Sequence, residues 1–591
     1  MNKAALCLLA LSVGCGPALA QQAQQAQPGI IDYGARQHAV ADTKGMVAVQ
    51  NAIAAQVGAS VLAEGGNAVD AAVAVGITLS VTLPRAGNLG GGGFMMVYLA
   101  EEERTIAIDY RERAPRGASR DMFLNHDGSV DNAKARFSYL SAGVPGTVAG
   151  MHHALTEYGT MEWADVLAPA IDVAENGMIV SGDLAEALER RQSRLGRDPA
   201  SLKAFYKSDG SAYAPGEVLR QPDLAWTLKQ LAENGPDAFY KGAIADKIVA
   251  AMTANGGLID HQDLRDYVAT ERTPVSGSYR GYEVVSMPPP SSGGVLIIQM
   301  LNVLEQFDLK GAGFGSARAI HIMTEAMRTA YADRSKHLGD PDYYEPSVDW
   351  LMTKSYARKI ATDINVRTAR KSEDVLPAVN ADYESPDTTH YGVMDADGNT
   401  VVNTYTLNFS YGSGITVPGA GFLLNNEMDD FSAKPGTPNG YGLLGEDANA
   451  IEPGKRPLSS MTPTIVFRDG RPWIATGSPG GSTIITVVLQ VIVNAIDHEM
   501  SAQDAVAAPR FHHQWYPDRL FMEPGFSPDS IAILEAIGHD VNVRSRTMGS
   551  AQTIVFDGEF QRGAADPRRP DALAIGPSGL ACKLSEVACS Y

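Results

Sequence analysis

Cysteine is scarce. The 591-residue chain has four, of which Cys7 and Cys15 fall in an N-terminal apolar run, leaving Cys582 and Cys589 in the body of the sequence. That pair can close one small loop in an oxidising compartment, the alternative being two free thiols in a loose tail. No motif surrounds either residue, so neither is a catalytic candidate. Positive charge is also short. Lys and Arg number 48 against 68 Asp and Glu, a net charge of -20, which argues against a nucleic-acid partner and for a soluble enzyme. An acidic protein repels anions at long range, so a carboxylate-bearing ligand requires a local cation inside its pocket.

Metal signatures are missing as well. His152-His153 and His512-His513 have no His-Glu-x-x-His or Cys/His cluster around them, so no metal and no cofactor is expected. The glycine run from Asn88 to Phe94 is not followed by Gly-Lys-Ser/Thr. It reads as close backbone packing rather than a phosphate loop. No repeat of solenoid period is present. Beyond the first twenty residues no apolar run is long and clean enough to span a bilayer.

Residues 1–20 themselves read as a secretory signal: Lys3, the apolar run Ala4 to Val13, then Ala18-Leu19-Ala20 as a small-x-small cleavage site. A lipoprotein cut before Cys15 is the runner-up, and Ser12 fits it poorly. The expected location is periplasmic or secreted. Residues 21–45, rich in Gln, Ala and Pro, read as a flexible leader, with structure expected from Met46.

The length suits one large domain or two intimately packed parts. Ala52 to Leu62 has helical apolar spacing and stops at Gly65-Gly66. Asn67 then caps a second helix, with Asp70 completing a capping-box variant. Strands are expected at Phe94–Leu99 and Thr105–Tyr110. From Pro145 to about Lys336 helices dominate, including Gly146–Tyr158, Leu224–Asn234 and Ile320–Ser335. Residues 364–387 are polar and irregular. After Thr388 come strands at a hairpin, at Gly421–Asn425, Thr464–Arg468 and Trp473–Thr476, a helix from Ser482 to Asp497, and further strands near Asp540 and Gln552. Pattern alone gives a mixed α/β (α+β) fold.

The hairpin carries the chemistry. Asp395-Ala396-Asp397-Gly398-Asn399 is a turn signal, Gly398 being the residue able to take a positive φ. A three-residue loop places Thr388 opposite Thr406, with Asn408 further along the same face; a two-residue loop would pair Thr388 with Leu407. Taken alone, Thr388-Thr389 is ordinary β-branched strand composition.

Company distinguishes it. Asp387-Thr388-Thr389-His390-Tyr391 is followed by Thr404-Tyr405-Thr406-Leu407-Asn408, Asn425-Asn426-Glu427-Met428-Asp429-Asp430-Phe431, Pro457-Leu458-Ser459-Ser460-Met461 and Gly477-Ser478-Pro479-Gly480-Gly481. In that order, from about residue 30 to the end of the chain, the sequence resembles the γ-glutamyltranspeptidase (glutathione hydrolase) family. The resemblance implies a four-layer α/β/β/α sandwich of the N-terminal nucleophile hydrolase type. It also implies self-cleavage between Asp387 and Thr388 into a large subunit, 46–387, and a small catalytic one, 388–591. The two fragments would remain one intertwined heterodimer.

The roles it implies are specific. Thr388 is the nucleophile, helped by Thr406, and cleavage frees its α-amine to act as base. Gly480 and Gly481 offer an oxyanion two backbone N–H groups, although a Gly-Gly pair is also ordinary turn geometry. Arg111 would hold a glutamyl α-carboxylate with Ser459 and Ser460; Glu427, Asp430 and Asn408 would meet the α-ammonium. Without Arg111, the acidic pair would read as a solvated loop. Many bacterial relatives carry Gln where Glu427 stands. Pro435 to Gly445 resembles a lid loop whose Tyr441 closes over Asn408. The substrates implied are glutathione and other γ-glutamyl amides, with water, amino acids or dipeptides as acceptors. A glutaryl-type cephalosporin acylase and a non-catalytic periplasmic binding protein are the alternatives.

Overall fold

Successive residues of a strand point to opposite faces, and this alternation sorts the core into layers. The computed structural model describes residues 38–344, 347–376 and 388–584. The signal-like segment, most of the leader, Asp387 and the Cys582–Cys589 pairing lie outside what is described. One seven-stranded sheet runs Leu573–Ile575, Gly45–Val49, Thr388–Asp395, Thr400–Thr406, Gly92–Leu99, Arg104–Tyr110, Thr270–Arg272. A second runs Val40–Asp42, Gln561–Ala565, Gln552–Phe556, Arg471–Gly477, Thr464–Arg468, Tyr282–Ser286, Val275–Tyr279.

Met46, Ala48, Phe94, Met96, Met394 and Val402 of the first sheet share a core with Ile465, Ile474 and Ile554 of the second. Their chain neighbours Val47, Val49, Met95, Val97, Val393 and Val401 pack the opposite way, into a core shared with the helices Ala52–Ala63, Ala68–Thr82 and Thr147–Tyr158. The helices Gly293–Leu304 and Ile484–Ile496 lie against the second sheet. The order is helices, sheet, sheet, helices, the four-layer sandwich of the N-terminal nucleophile hydrolases.

Because both faces of the first sheet are buried, polarity does not fix the register of its central hairpin; the turn does. Gly398 takes φ +92°. Asp395 Oδ1 accepts from the backbone N–H of Asp397 and Asn399 at 3.0 and 2.9 Å. Its Oδ2 accepts from the Ala68 N–H at 2.9 Å, tying the turn to the start of the helix Ala68–Thr82. The result is the three-residue-loop register, with Thr388 opposite Thr406. That helix begins with the expected box: Asn67 Oδ1 accepts from Val69 and Asp70, and Asp70 Oδ2 accepts from the Asn67 N–H at 2.8 Å. It is buried on every side.

Two boundaries differ from expectation. Order begins before Met46, because Val40–Asp42 pairs with Gln561–Gly563 and the Asp42 carboxylate accepts from Ser578. Gly421–Asn425 is not a ladder strand. Gly419 and Gly421 both take positive φ, and the segment turns back so that Leu423 only bridges Thr416 while Asn425 donates to Gly90. No helix of the described residues is long and apolar enough to cross a membrane.

Candidate active site

Thr388 is the first residue of its strand, and its side chain points between the two sheets, on the face shared by His390, Thr404 and Thr406. The Thr388 and Thr406 hydroxyls are 3.3 Å apart. Thr406 Oγ1 also accepts from the Asn408 N–H at 2.9 Å. Asn408 has φ +76°, a left-handed conformation that Asn tolerates better than most residues. Its Nδ2 donates to Asn426 O at 2.9 Å, leaving Oδ1 buried with no partner among the described residues. His390, two residues along, hydrogen-bonds Thr404 through Nδ1 at 2.8 Å, and burial pushes its imidazole down to about 3. It is therefore neutral at ordinary pH.

From the second sheet, the strand Arg471–Gly477 ends beside this point and runs into Pro479-Gly480-Gly481. Gly480 has φ +141° and Gly481 φ +54°. The helix expected from Ser482 begins as a tight turn at Gly481–Thr483, followed by Ile484–Ile496. Gly481 lines the cavity next to Thr388, while Gly480 borders a separate open cleft of about 720 Å³. Neither amide donates to another described residue.

The cavity itself holds only about 20 Å³ and is lined by Thr388, Asn408, Glu427, Asp430, Ser459 and Ser460, together with Arg111 and Arg334. That is room for roughly one water. Tyr441 closes it: its hydroxyl donates to Asn408 O at 2.7 Å and its ring packs edge-on against Phe409 at 5.3 Å. Gly440, just before it, donates to Asp429 Oδ2 at 2.8 Å, and a side chain there would collide with Phe409.

Sequence reasoning separated a carboxylate subsite, Arg111, from an ammonium subsite, Glu427 and Asp430. The structure joins them. Arg111, fully buried at the end of the strand Arg104–Tyr110, pairs with Glu427 through Nη1, with Asp430 through Nη2 at 2.6 Å, and with Glu112 at 3.5 Å. Its Nε donates to Pro457 O at 3.2 Å. One guanidinium thus faces two buried carboxyls and a third, on Asp430, that is mostly buried. Burial, then the neighbouring acids, push Glu427 well above the usual carboxylate range and Glu112 up to about 7, against the pull of Arg111. Glu427 Oε2 and Glu112 Oε1 have no partner among the described residues.

Ser459 and Ser460 are held by the segment before the helix Gly293–Leu304. Ser292 donates to Ser459 O through its amide at 2.8 Å and its hydroxyl at 2.7 Å. Sequence reasoning missed Glu112 and Arg334. Glu112 adjoins Arg111 in the run Arg-Glu-Arg-Ala-Pro and was findable there. Arg334 sits in the last turn of the helix Ala317–His337, where a basic residue is ordinary for a helix end.

No ion is expected at the paired histidines, whose ring nitrogens are taken up by protein groups such as Glu271, Thr486, Gln514 and Asp518. Among the described residues one other trio, His321, Glu325 and His539, comes within ligand distance. His321 Nε2 donates to Asn365 O at 2.9 Å, so its Nδ1 accepts from His539 at 2.8 Å, and Glu325 is engaged by Arg370 and Arg328. These groups satisfy one another.

The family model for γ-glutamyltranspeptidase matches residues 54–576. The glutathione hydrolase proenzyme of Escherichia coli (strain K12) is 53% identical over 551 residues, covering 92% of this chain and 94% of that protein. Among solved structures, the cephalosporin acylase from Bacillus halodurans superposes with a TM-score of 0.81 at 28% identity, covering 92% of this chain and 98% of that one. The γ-glutamyltranspeptidase of Helicobacter pylori gives 0.54 at 46% identity, over 55% of this chain and 93% of that one. With a matching family model over most of its length and a relative sharing more than half its residues, the chain belongs to the γ-glutamyltranspeptidase family.

Proposed function

We propose that Thr388 performs both the cut that activates the protein and the turnover that follows. Its hydroxyl attacks the Asp387 carbonyl, the peptide nitrogen leaves as the new amine, and water opens the resulting ester. The products are residues 21–387, ending in a carboxylate, and 388–591, starting with a free threonine amine. That amine has a reference pKa of about 7.7–8.0 and takes the hydroxyl proton as Oγ1 attacks the γ-carbonyl of a γ-glutamyl amide. The N–H groups of Gly480 and Gly481 meet the oxyanion. The ammonium returns its proton to the leaving amine, and water or an amino acid or peptide amine then releases the glutamyl group. The observation that carries this reading is the 3.3 Å approach of the Thr388 and Thr406 hydroxyls at the wall of the cavity that holds Arg111, Glu427 and Asp430. The signal-like start of the chain supports a periplasmic or secreted location for the processed enzyme.

The glutamyl head has an ammonium and a carboxylate, whereas a glutaryl group lacks the ammonium. The unpartnered Asn408 Oδ1 and the acids Glu427 and Asp430 favour the first. One charge-assisted hydrogen bond of about 1.5–3 kcal/mol corresponds to about a 10- to 100-fold preference. Comparing kcat/KM for γ-glutamyl and glutaryl anilides checks it; equal values would favour the acylase reading instead. A non-catalytic binding protein is set aside by membership of an enzyme family.

Two further results are expected. Binding an ammonium requires ionised acids, so substrate binding releases a proton wherever the free cluster holds one. KM should therefore rise as pH falls below about 7, the value to which Glu112 is pushed, while kcat/KM climbs through about 8 as the Thr388 amine loses its proton. Initial rates between about pH 5 and pH 9 read both limbs. Tyr441→Phe removes the bond to Asn408 O, worth about 0.5–1.5 kcal/mol. The loosened lid should admit water and move the acyl group's partition toward hydrolysis by about 2- to 10-fold, measured with and without a dipeptide acceptor.

A further inference from the structure

A buried cation is stable only when an anion or a full set of acceptors meets it. Among the described residues, the buried arginines obey that rule with one exception. Arg85 pairs with Asp183, Arg111 with Glu427 and Asp430, Arg328 with Asp518, Arg456 with Asp109, and Arg510 with Asp566. Arg334, with 4% of its surface exposed, meets only hydroxyls: Nε donates to Ser292 Oγ at 2.9 Å and Nη2 to Ser460 Oγ at 3.4 Å. No carboxylate among the described residues comes within ion-pair distance of it. Burial accordingly pulls its guanidinium down to about 10.

Its position gives the exception a use. Arg334 lines the same cavity as Thr388, Ser459 and Ser460. Arg111, the residue expected to hold a ligand carboxylate, already has three protein carboxyls around it. We propose that Arg334 supplies a second positive charge, behind that of Arg111, that favours a carboxylate on the donor's α-carbon, acting across Ser460 as a positioning and specificity-determining residue. Ser460 Oγ accepts from Arg334, so its own hydrogen is turned away from the guanidinium and serves as a donor to the ligand. Ser292 ties Arg334 to the neighbouring Ser459, accepting from Arg334 and donating to Ser459 O. When the donor's carboxylate enters, it provides the anion that Arg334 lacks.

The inference rests on the γ-glutamyl reading of the cavity, and the test separates the two. The probes are L-γ-glutamyl-p-nitroanilide and 4-aminobutanoyl-p-nitroanilide, which differ only by the α-carboxylate. Wild-type enzyme should prefer the first by at least about 100-fold. Arg334→Gln should cut that preference at least about tenfold through KM, with kcat changed much less. Arg334→Lys, which keeps the charge but cannot reach both serines with a planar fork, should fall between, at least about threefold below wild type. A purely structural role would lower both substrates together and leave the ratio alone. An unchanged ratio in either processed variant overturns the assignment of Arg334, and the Lys variant decides if the Gln variant fails to fold. A wild-type enzyme indifferent to the carboxylate overturns the reading of the cavity and this inference with it.

Discussion

Thr388→Ala is expected to accumulate as a single uncut chain with γ-glutamyl turnover reduced by at least about 1,000-fold. Both losses have one origin. The methyl group cannot attack the preceding carbonyl, so no α-amine is released, and nothing remains at the end of the strand to carry the acyl group. The fold should survive, since Thr388 contributes one hydroxyl contact at the open end of a hairpin whose register is set at the Asp395 turn. Denaturing electrophoresis and a rate assay read the two losses separately. Thr388→Ser is the complement: it keeps a hydroxyl and an N-terminal amine, and should still be cut.

Arg111→Ala is expected to destabilise the protein by about 3–5 kcal/mol as well as to weaken glutamyl binding. Sequence reasoning anticipated only the binding loss. In the structure the guanidinium is the shared counterion of the buried Glu112 and Glu427 and of the mostly buried Asp430. Removing it leaves three acids to be neutralised by protons. Burial already raises all three pKa values from their ordinary values, and they would rise further. A carboxyl whose folded pKa lies above its unfolded one favours folding at low pH and loses that contribution as pH rises through the folded value. The stability gap between variant and wild type should therefore widen from about pH 5 to about pH 8, as read by denaturant unfolding at several pH values.

What the sequence disclosed about the site was local in origin. The register of Thr388 against Thr406 follows from five consecutive residues, Asp395 to Asn399, and the start of the helix Ala68–Thr82 from Asn67 and Asp70. The layering needed the family resemblance, because strands buried on both faces do not show whether their neighbour is a sheet or a helix. Gly421–Asn425 misled because its apolar residues resemble a strand while two positive-φ glycines turn it into a loop. The charge arrangement of the pocket was the least legible part. Arg111 and Asp430 are 319 positions apart, and Arg334 and Ser460 are 126 apart. Nothing in either neighbourhood says that the first guanidinium is surrounded by acids and the second by hydroxyls. Only the folded chain brings those counterions together.

Sequencing the N-termini of catalytically competent protein tests the central claim most directly. The account predicts a chain beginning Thr388-Thr389-His390, in equal amount with a larger chain and appearing in step with activity. Full activity in protein that contains no chain starting at Thr388 would contradict it.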